Sequence, residues 1–464
     1  MTTSFDTSKT NDKVGVTGGK KIPSLPGLPI LGNLLDAGRD RLGFLMRVSR
    51  ECGDIGQFRV GPRRIVMLNS PHYVQAVLVD NDYAFFEKSP VLRQYLRPVF
   101  GNGLLSIDSQ FHKQRRKLLA PSFQPRCIAA YAEVMADYAE QLQQIWMEEQ
   151  TVNVADEMMR LTFRVVGKTL FDADLLNEAH EVGEALLTIL RYNNAELNSF
   201  FHLPHHWPTP RNRRFQKALA RLDAIIYRLI EERRTIRRER TDLLSLLLQA
   251  RDEEGGGALS DQEVRDEAIT LFLAGYETTA NALTWTWYLL TQHPEIYMRL
   301  RAEVDRVLAG RTPTAADLPQ LPYTLQVFKE AMRLYPPVHS ISRQVVRPFD
   351  LEGYHLPRGV IVAVSFYVLH RRPDYFPDPG RFDPERFAPQ AEKNLPRYAY
   401  LPFSIGPRLC IGNHFAMMEG HLLLVTLAQR VTFKLVSGQK IVPEPLITLR
   451  PRDGIQMVVQ RREP

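Results

Sequence analysis

Apolar residues recur at helical spacing from about residue 73 to residue 300, broken by loops around 88–108, where Gly101 and Gly103 sit, and through HLPHHWPTP at 202–210. Two stretches alternate instead. IGQFRVGPRRIVMLN at 55–69 turns about Gly61-Pro62 and predicts a hairpin, and YHLPRGVIVAVSFYVLH at 354–370 predicts a strand pair about a Pro-Arg-Gly turn. PSLPGLPILGN at 23–33 reads as extended chain. The strongest helix prediction follows the GGG at 255–257: Ser260 and Glu263 form a capping box, and the pattern runs to Gln292, before His293-Pro294. Thirty-odd residues give roughly 45–50 Å of helix, and one that is apolar on most faces is buried on most faces. LQVFKEAMRLY (325–335) predicts a second helix, stopped by Pro336-Pro337. Residues 371–409 form a proline-rich connection whose length without regular structure argues for function. An apolar helix follows Cys410, and short strands close the chain. The fold expected is mainly α with small β-sheets (α+β). One domain spans 23–464 behind a polar, mobile tail at 1–22, without internal repeat.

Composition changes this picture little. The chain has 464 residues, 44% hydrophobic and 24% charged, which suits a large globular core. Its net charge of +7 comes from bases interleaved with acids, so a basic face for an acidic partner is expected rather than nucleic-acid binding. The densest run, Arg233, Arg234, Arg237, Arg238 and Arg240 beside Glu231, Glu232 and Glu239, reads as a solvated helix face. Three cysteines make no disulfide framework and fit a reducing compartment. The first residues lack the apolar core of a signal peptide, so a cytoplasmic protein is expected. Only AITLFLAGYETTANALTWTWYLL at 268–290 is long enough to span a bilayer. Glu277 at its centre would cost roughly 2.5–3.5 kcal/mol there, which favours a buried helix in a soluble fold.

Candidate chemistry centres on FSIGPRLCIGNHFAMMEG, 403–420. Cys410 stands between Gly406 and Gly412 and just before a helix, a position that lowers a thiol's pKa, with Arg408 nearby. Such a thiolate can be a nucleophile, a redox switch or a single metal ligand. One cysteine makes no zinc site, and the chain has no GxSxG elbow, phosphate loop or GxGxxG. A haem axial thiolate, by contrast, needs only one cysteine. The AGYETT centre of the long helix reads either as a satisfied polar patch, its threonines bonded to carbonyls four residues back, or as acid–alcohol chemistry beside a cofactor.

Phe403, Gly406, Arg408, Cys410 and Gly412 resemble, at every specified position, the FxxGxRxCxG haem-binding signature of the cytochrome P-450 family, and Ala416 and Glu419 suit it too. The resemblance extends over nearly the whole chain. It implies that family's fold, with a long helix over haem b and Cys410 as axial ligand to the iron. Glu330 and Arg333 match the family's ExxR, with Arg386 of PERF as the third member of a structural trio. His112, Arg116, Arg343 and Arg408 are implied partners of the haem propionates, although alone His112 reads as a solvent-facing cation. Ala274, Gly275, Glu277 and Thr278 match the family's [AG]Gx[DE]T: Ala274 and Gly275 leave space for oxygen and substrate, Thr278 steers protons, and Glu277 relays them from solvent.

By the same resemblance Leu273, Ala274, Val338 to Ile341, Leu446 and Ile447 line a pocket with the 88–108 loop and the 190–210 region. This implies a monooxygenase acting with O2 on a fatty acid, terpenoid or steroid. No flavin- or nicotinamide-binding segment follows Cys410, so a ferredoxin or flavodoxin with its reductase is the expected electron source, and a monomeric enzyme without a membrane anchor is expected. A non-oxygenating haem-thiolate sensor or carrier, or a peroxide-driven or isomerising enzyme, is the alternative. Arg93 and Arg191 could hold a substrate carboxylate, but both read more readily as surface residues. Histidines 202, 205 and 206 read as exposed, and Cys52 and Cys127 as inert.

Overall fold

The computed structural model describes residues 19–175, 177–197, 207–235, 242–249 and 259–462. Of the expected tail, residues 1–18 lie outside these. Ile22 is buried, its carbonyl accepts from Gln57 Nε2, and Lys20 N donates to Gly353 O at 2.8 Å, so the packed body begins before residue 23.

The hairpin forms as read: strands β1 (Ile55–Val60) and β2 (Arg63–Leu68) pair antiparallel. A short strand β3 (Phe86–Lys88) precedes helices α1 (Ser109–Leu119), α2 (Val154–Phe171) and α3 (Asp261–Gln292). Then come α4 (Pro322–Leu334), strands β4 (Ser340–Val345), β5 (Phe349–Leu351), β6 (Tyr354–Leu356) and β7 (Ile361–Ser365), α5 (Asn413–Arg430), β8 (Pro443–Pro445) and β9 (Leu449–Pro451). β1, β2, β7, β4 and β3 make one sheet in that order. The strand pair expected at 354–370 is corrected: β6 pairs with β5 in a small sheet of its own, whereas β7 lies between β2 and β4. The Pro-Arg-Gly turn separates two sheets because the alternating pattern records burial on both sides of it, not which strand is the neighbour.

Helix α3 crosses the core. Ser260 caps it, with Glu263 completing the box, and Trp285 and Trp287 on it are fully buried. Trp285 stacks on Tyr335 at 4.1 Å, and its indole N–H donates to Leu449 O at 3.0 Å, so packing and the polar handle are both satisfied. α2 packs alongside, where Thr162 Oγ1 donates to Tyr276 O at 2.9 Å. A β-carbon on Gly275 would lie 3.1 Å from Val166 Cγ2, so Gly275 lets two helices approach closely. Among the described residues no helix is long and apolar enough to cross a membrane. Arg233 is not on a solvated face: its buried guanidinium pairs with Asp242 and donates to Phe171 O at 2.6 Å, tying down a helix end, while Arg234 does pair in the open with Asp261. Arg237, Arg238, Glu239, Arg240, the GGG linker and histidines 202, 205 and 206 lie outside the described residues.

Candidate active site

The loop before α5 is built by main-chain bonds. Cys410 N donates to Phe403 O at 3.0 Å, Leu409 N to Gly406 O at 3.0 Å, and Ala416 N to Gly412 O at 2.8 Å. Gly406 has φ of 75°, and a β-carbon there would lie 1.9 Å from Leu78 O, so only glycine fits. Gly412 carries no such constraint: a β-carbon would meet only Phe123, at 3.9 Å. Cys410 alone of the three cysteines is exposed. Burial pushes its thiol up, against the amide of Gly412 and Arg116, which pull it down. Burial thus outweighs the helix terminus and one arginine, and a cation bonded to the sulfur would favour the anion.

Behind this loop the ExxR pair is as read. Glu330 and Arg333 are fully buried and meet at 2.7 Å. Arg333 also donates to His370 O, Pro379 O and Arg381 O at 2.8, 2.9 and 3.0 Å, clamping the proline-rich connection onto α4. Arg386 Nε approaches Glu330 Oε1 at 3.5 Å, and Asp383 N donates to the same oxygen at 2.9 Å. Burial raises the Glu330 carboxyl, against its bond to Arg333.

On another side the four expected basic residues gather with partners that the sequence did not announce. Asp82, fully buried, accepts from Arg343 Nε at 2.7 Å and faces Arg408 Nε at 3.4 Å. Arg408 Nη2 donates to Ser109 Oγ at 2.8 Å, while its Nη1 is buried without a hydrogen-bond partner. Arg116 Nη1 donates to Leu409 O at 2.6 Å, next to the cysteine. His112 is buried, not solvent-facing. Its Nδ1 meets Tyr83 Oη at 2.8 Å, and burial, with Arg408 and its cationic neighbours, pulls it down to about 2, so it is a neutral hydrogen-bonding group.

The acid–alcohol pair on α3 divides. Ala274 is exposed toward the interior, and Thr278 Oγ1 donates to Ala274 O at 2.8 Å, the bond of an ordinary helical threonine. Glu277 does not face solvent. It is buried, accepts from Thr448 Oγ1 at 2.6 Å in the turn between β8 and β9, and is raised by burial. Thr278 lines a cavity of about 30 Å³ with Val338, Phe403, Phe328, Met332 and Ala416, joining the helix, the expected pocket and the cysteine loop. Leu273 and Leu446 are buried, and Ile341 and Ile447 half-buried. Two further carboxylates escaped the sequence reading of the site, Asp82 and Glu267. Glu419, noted only for its fit to the motif, is fully buried on α5 and raised well above the carboxylate range by burial. Arg93 pairs with Asp108, whereas Arg191 is exposed. Among the described residues no cluster of three metal-ligating side chains occurs.

The sequence model of the cytochrome P-450 family matches residues 22–459. The chain is 40% identical over 425 residues to Cyclooctatin synthase of Streptomyces melanosporofaciens, covering 91% of this chain and 92% of that one. It is 37% identical to Cyclooctat-9-en-7-ol 5-monooxygenase of the same organism (89% of each chain), and 34% identical to Pentalenene oxygenase of Streptomyces avermitilis (91% and 92%). This chain belongs to that family: it is an oxidoreductase of the monooxygenase class, with the family's α+β fold. Membership implies haem held by a cysteine thiolate, and the residues present fit such a group. A lone accessible sulfur, a buried guanidinium nitrogen lacking an acceptor, and neighbouring cations are what a porphyrin with two carboxylates would satisfy.

Proposed function

We propose that this enzyme hydroxylates or epoxidises a terpenoid, working on haem b in the cytoplasm with electrons from a separate ferredoxin or flavodoxin and its reductase. The similarity of nearly the whole chain to three terpenoid-oxidising relatives carries the reading. Apolar Leu273, Val338, Ile341, Leu446 and Ile447 suit a hydrocarbon skeleton, and desolvating that skeleton supplies the binding energy.

Haem b, when bound, supplies the centre at which O2 and two electrons are converted to one oxygen atom for the substrate and one molecule of water, with two protons consumed. Cys410 would hold that centre through its sulfur, its loop kept in place by the Phe403 and Gly406 bonds. Arg408, with Arg343, Arg116 and neutral His112, would supply the donors for the two propionates. Glu330, Arg333 and Arg386 fix the connection against which the loop rests. Thr278 swings its hydroxyl from Ala274 O into the interior and passes protons there. Glu277 holds the turn bearing Leu446 and Ile447 through Thr448, and exchanges protons only when that bond opens. The test is a titration of the purified holoenzyme with cyclic terpenes, a long-chain fatty acid and a steroid, followed by reconstitution with ferredoxin and reductase. A spin-state shift and an oxygenated product are expected with the terpenes. A response confined to fatty acid or steroid refutes the assignment.

A further inference from the structure

Two adjacent carboxylates on α3 hold the amides of the loop that precedes α1. Asp266 Oδ2 accepts from Asn102 N at 2.7 Å, and Glu267 Oε2 from Leu104 N at 3.0 Å. The flanking glycines make this possible. A β-carbon on Gly101 would lie 2.0 Å from the Asp266 carboxylate, and one on Gly103 would lie 2.2 Å from Thr270 Oγ1. Asp266 is itself fixed by Arg265 Nη1 at 3.0 Å and Gln262 Nε2 at 2.8 Å. Glu267 is faced from α1 by Arg115 Nε at 3.3 Å, and Glu263 shares that arginine at 2.9 Å. From β3, buried Lys88 donates to Leu104 O at 3.1 Å and to Leu105 O. Leu104 is therefore gripped at both its N–H and its carbonyl.

Glu267, Thr270, Ala274 and Thr278 follow at spacings of three and four and share one face of the helix. The loop thus sits about 10 Å along that face from exposed Ala274. We infer that Asp266 and Glu267 are positioning residues, a two-carboxylate clasp that holds the 101–107 loop across the substrate side of α3 and whose release governs passage of the ligand. The part concerning passage rests on the substrate side proposed above; the clasp itself does not. Burial raises Glu267 to about 7, against the Leu104 amide, Arg115 and Lys88, with Asp266 adding to the rise. The loop is part of what buries Glu267, so its release would rehydrate the carboxylate and return it toward the ordinary range. The neutral carboxyl is therefore the form that holds the closed loop, and ionisation as pH rises through about 7 loosens the clasp.

The experiment is amide hydrogen exchange of 101–107 in the holoenzyme, corrected for intrinsic rates, one pH unit either side of about 7. Wild-type protection should fall about tenfold across that range, as proton linkage between a closed-state value near 7 and an ordinary value requires. Glu267→Gln, which keeps the shape and stays neutral, should hold one high value at both pH values, and Asp266→Ala should lower protection of Asn102. In parallel, the association rate of 4-phenylimidazole, read from the Soret shift, should rise in Asp266→Ala, and in Glu267→Gln should match wild type at the acid pH and fall below it at the alkaline one. Substrate KM should move while kcat stays within about twofold, since neither carboxylate reaches the reacting atoms. Unchanged protection in both variants overturns the clasp. Lost protection with unaltered phenylimidazole kinetics overturns its control of passage, and neither result depends on whether the substrate is a terpenoid.

Discussion

Replacing Arg333 by methionine tests how the cysteine loop is held. The substitution leaves Glu330 fully buried, with one amide and Arg386 at 3.5 Å as its remaining partners. Breaking a buried ion pair from one side costs about 3–5 kcal/mol. Three carbonyls, of His370, Pro379 and Arg381, also lose their donor, and each stranded acceptor adds about 1–3 kcal/mol. The sum, roughly 6–14 kcal/mol, rivals the whole stability of a typical domain, so little folded, haem-bearing protein should form. Glu330→Gln should be far milder. Burial already disfavours the Glu330 charge, and the amide oxygen still accepts from Asp383 N, so about 1–3 kcal/mol is expected. Arg333→Lys falls between, because one ammonium cannot replace a planar fork serving a carboxylate and three carbonyls. The assay is haem per polypeptide in purified protein, together with the urea midpoint. Arg333→Met at wild-type stoichiometry and midpoint, or Glu330→Gln worse than Arg333→Met, would refute the reasoning.

Three other outcomes follow from the geometry. Gly406→Ala should cost about 1–2 kcal/mol for its left-handed backbone, plus displacement of the loop from Leu78 O, and weaken haem retention at least about tenfold in competition with apomyoglobin. Thr278→Ala should keep substrate-dependent electron consumption but divert it to peroxide, measured as product formed per NADPH oxidised; unchanged coupling removes Thr278 from proton transfer. Glu267 titrates near 7 in the fold against an ordinary 4.5, so its contribution to stability is complete below about 4.5 and is lost as pH rises through about 7. Glu267→Gln should remove up to about 3 kcal/mol of that pH dependence, read from urea midpoints across the window.

What the sequence disclosed depended on how local the cause was. The capping box at Ser260, the hairpin about Gly61 and the Glu330–Arg333 spacing are short-range geometry, and all appear as read. The cysteine loop was legible because its glycines and sulfur lie within ten residues. Partners remote in the chain were not. Asp82, which faces Arg343 and Arg408, lies about 260 and 326 residues from them and carries no periodic signal. Glu277 was read with Thr278 because they are neighbours, yet successive helical residues point in different directions, and Thr448 claims the acid. The strand at 361–365 found its partners in β2 and β4 for the same reason: register across a sheet is set by tertiary packing.

The role of Cys410 is most directly tested by the reduced, carbon-monoxide-bound spectrum of the purified holoenzyme beside that of Cys410→Ala reconstituted with haem. A red-shifted Soret band from thiolate ligation is predicted in the wild type and its absence, with loss of oxygenase activity, in the variant. The same band and activity in both proteins would contradict the account.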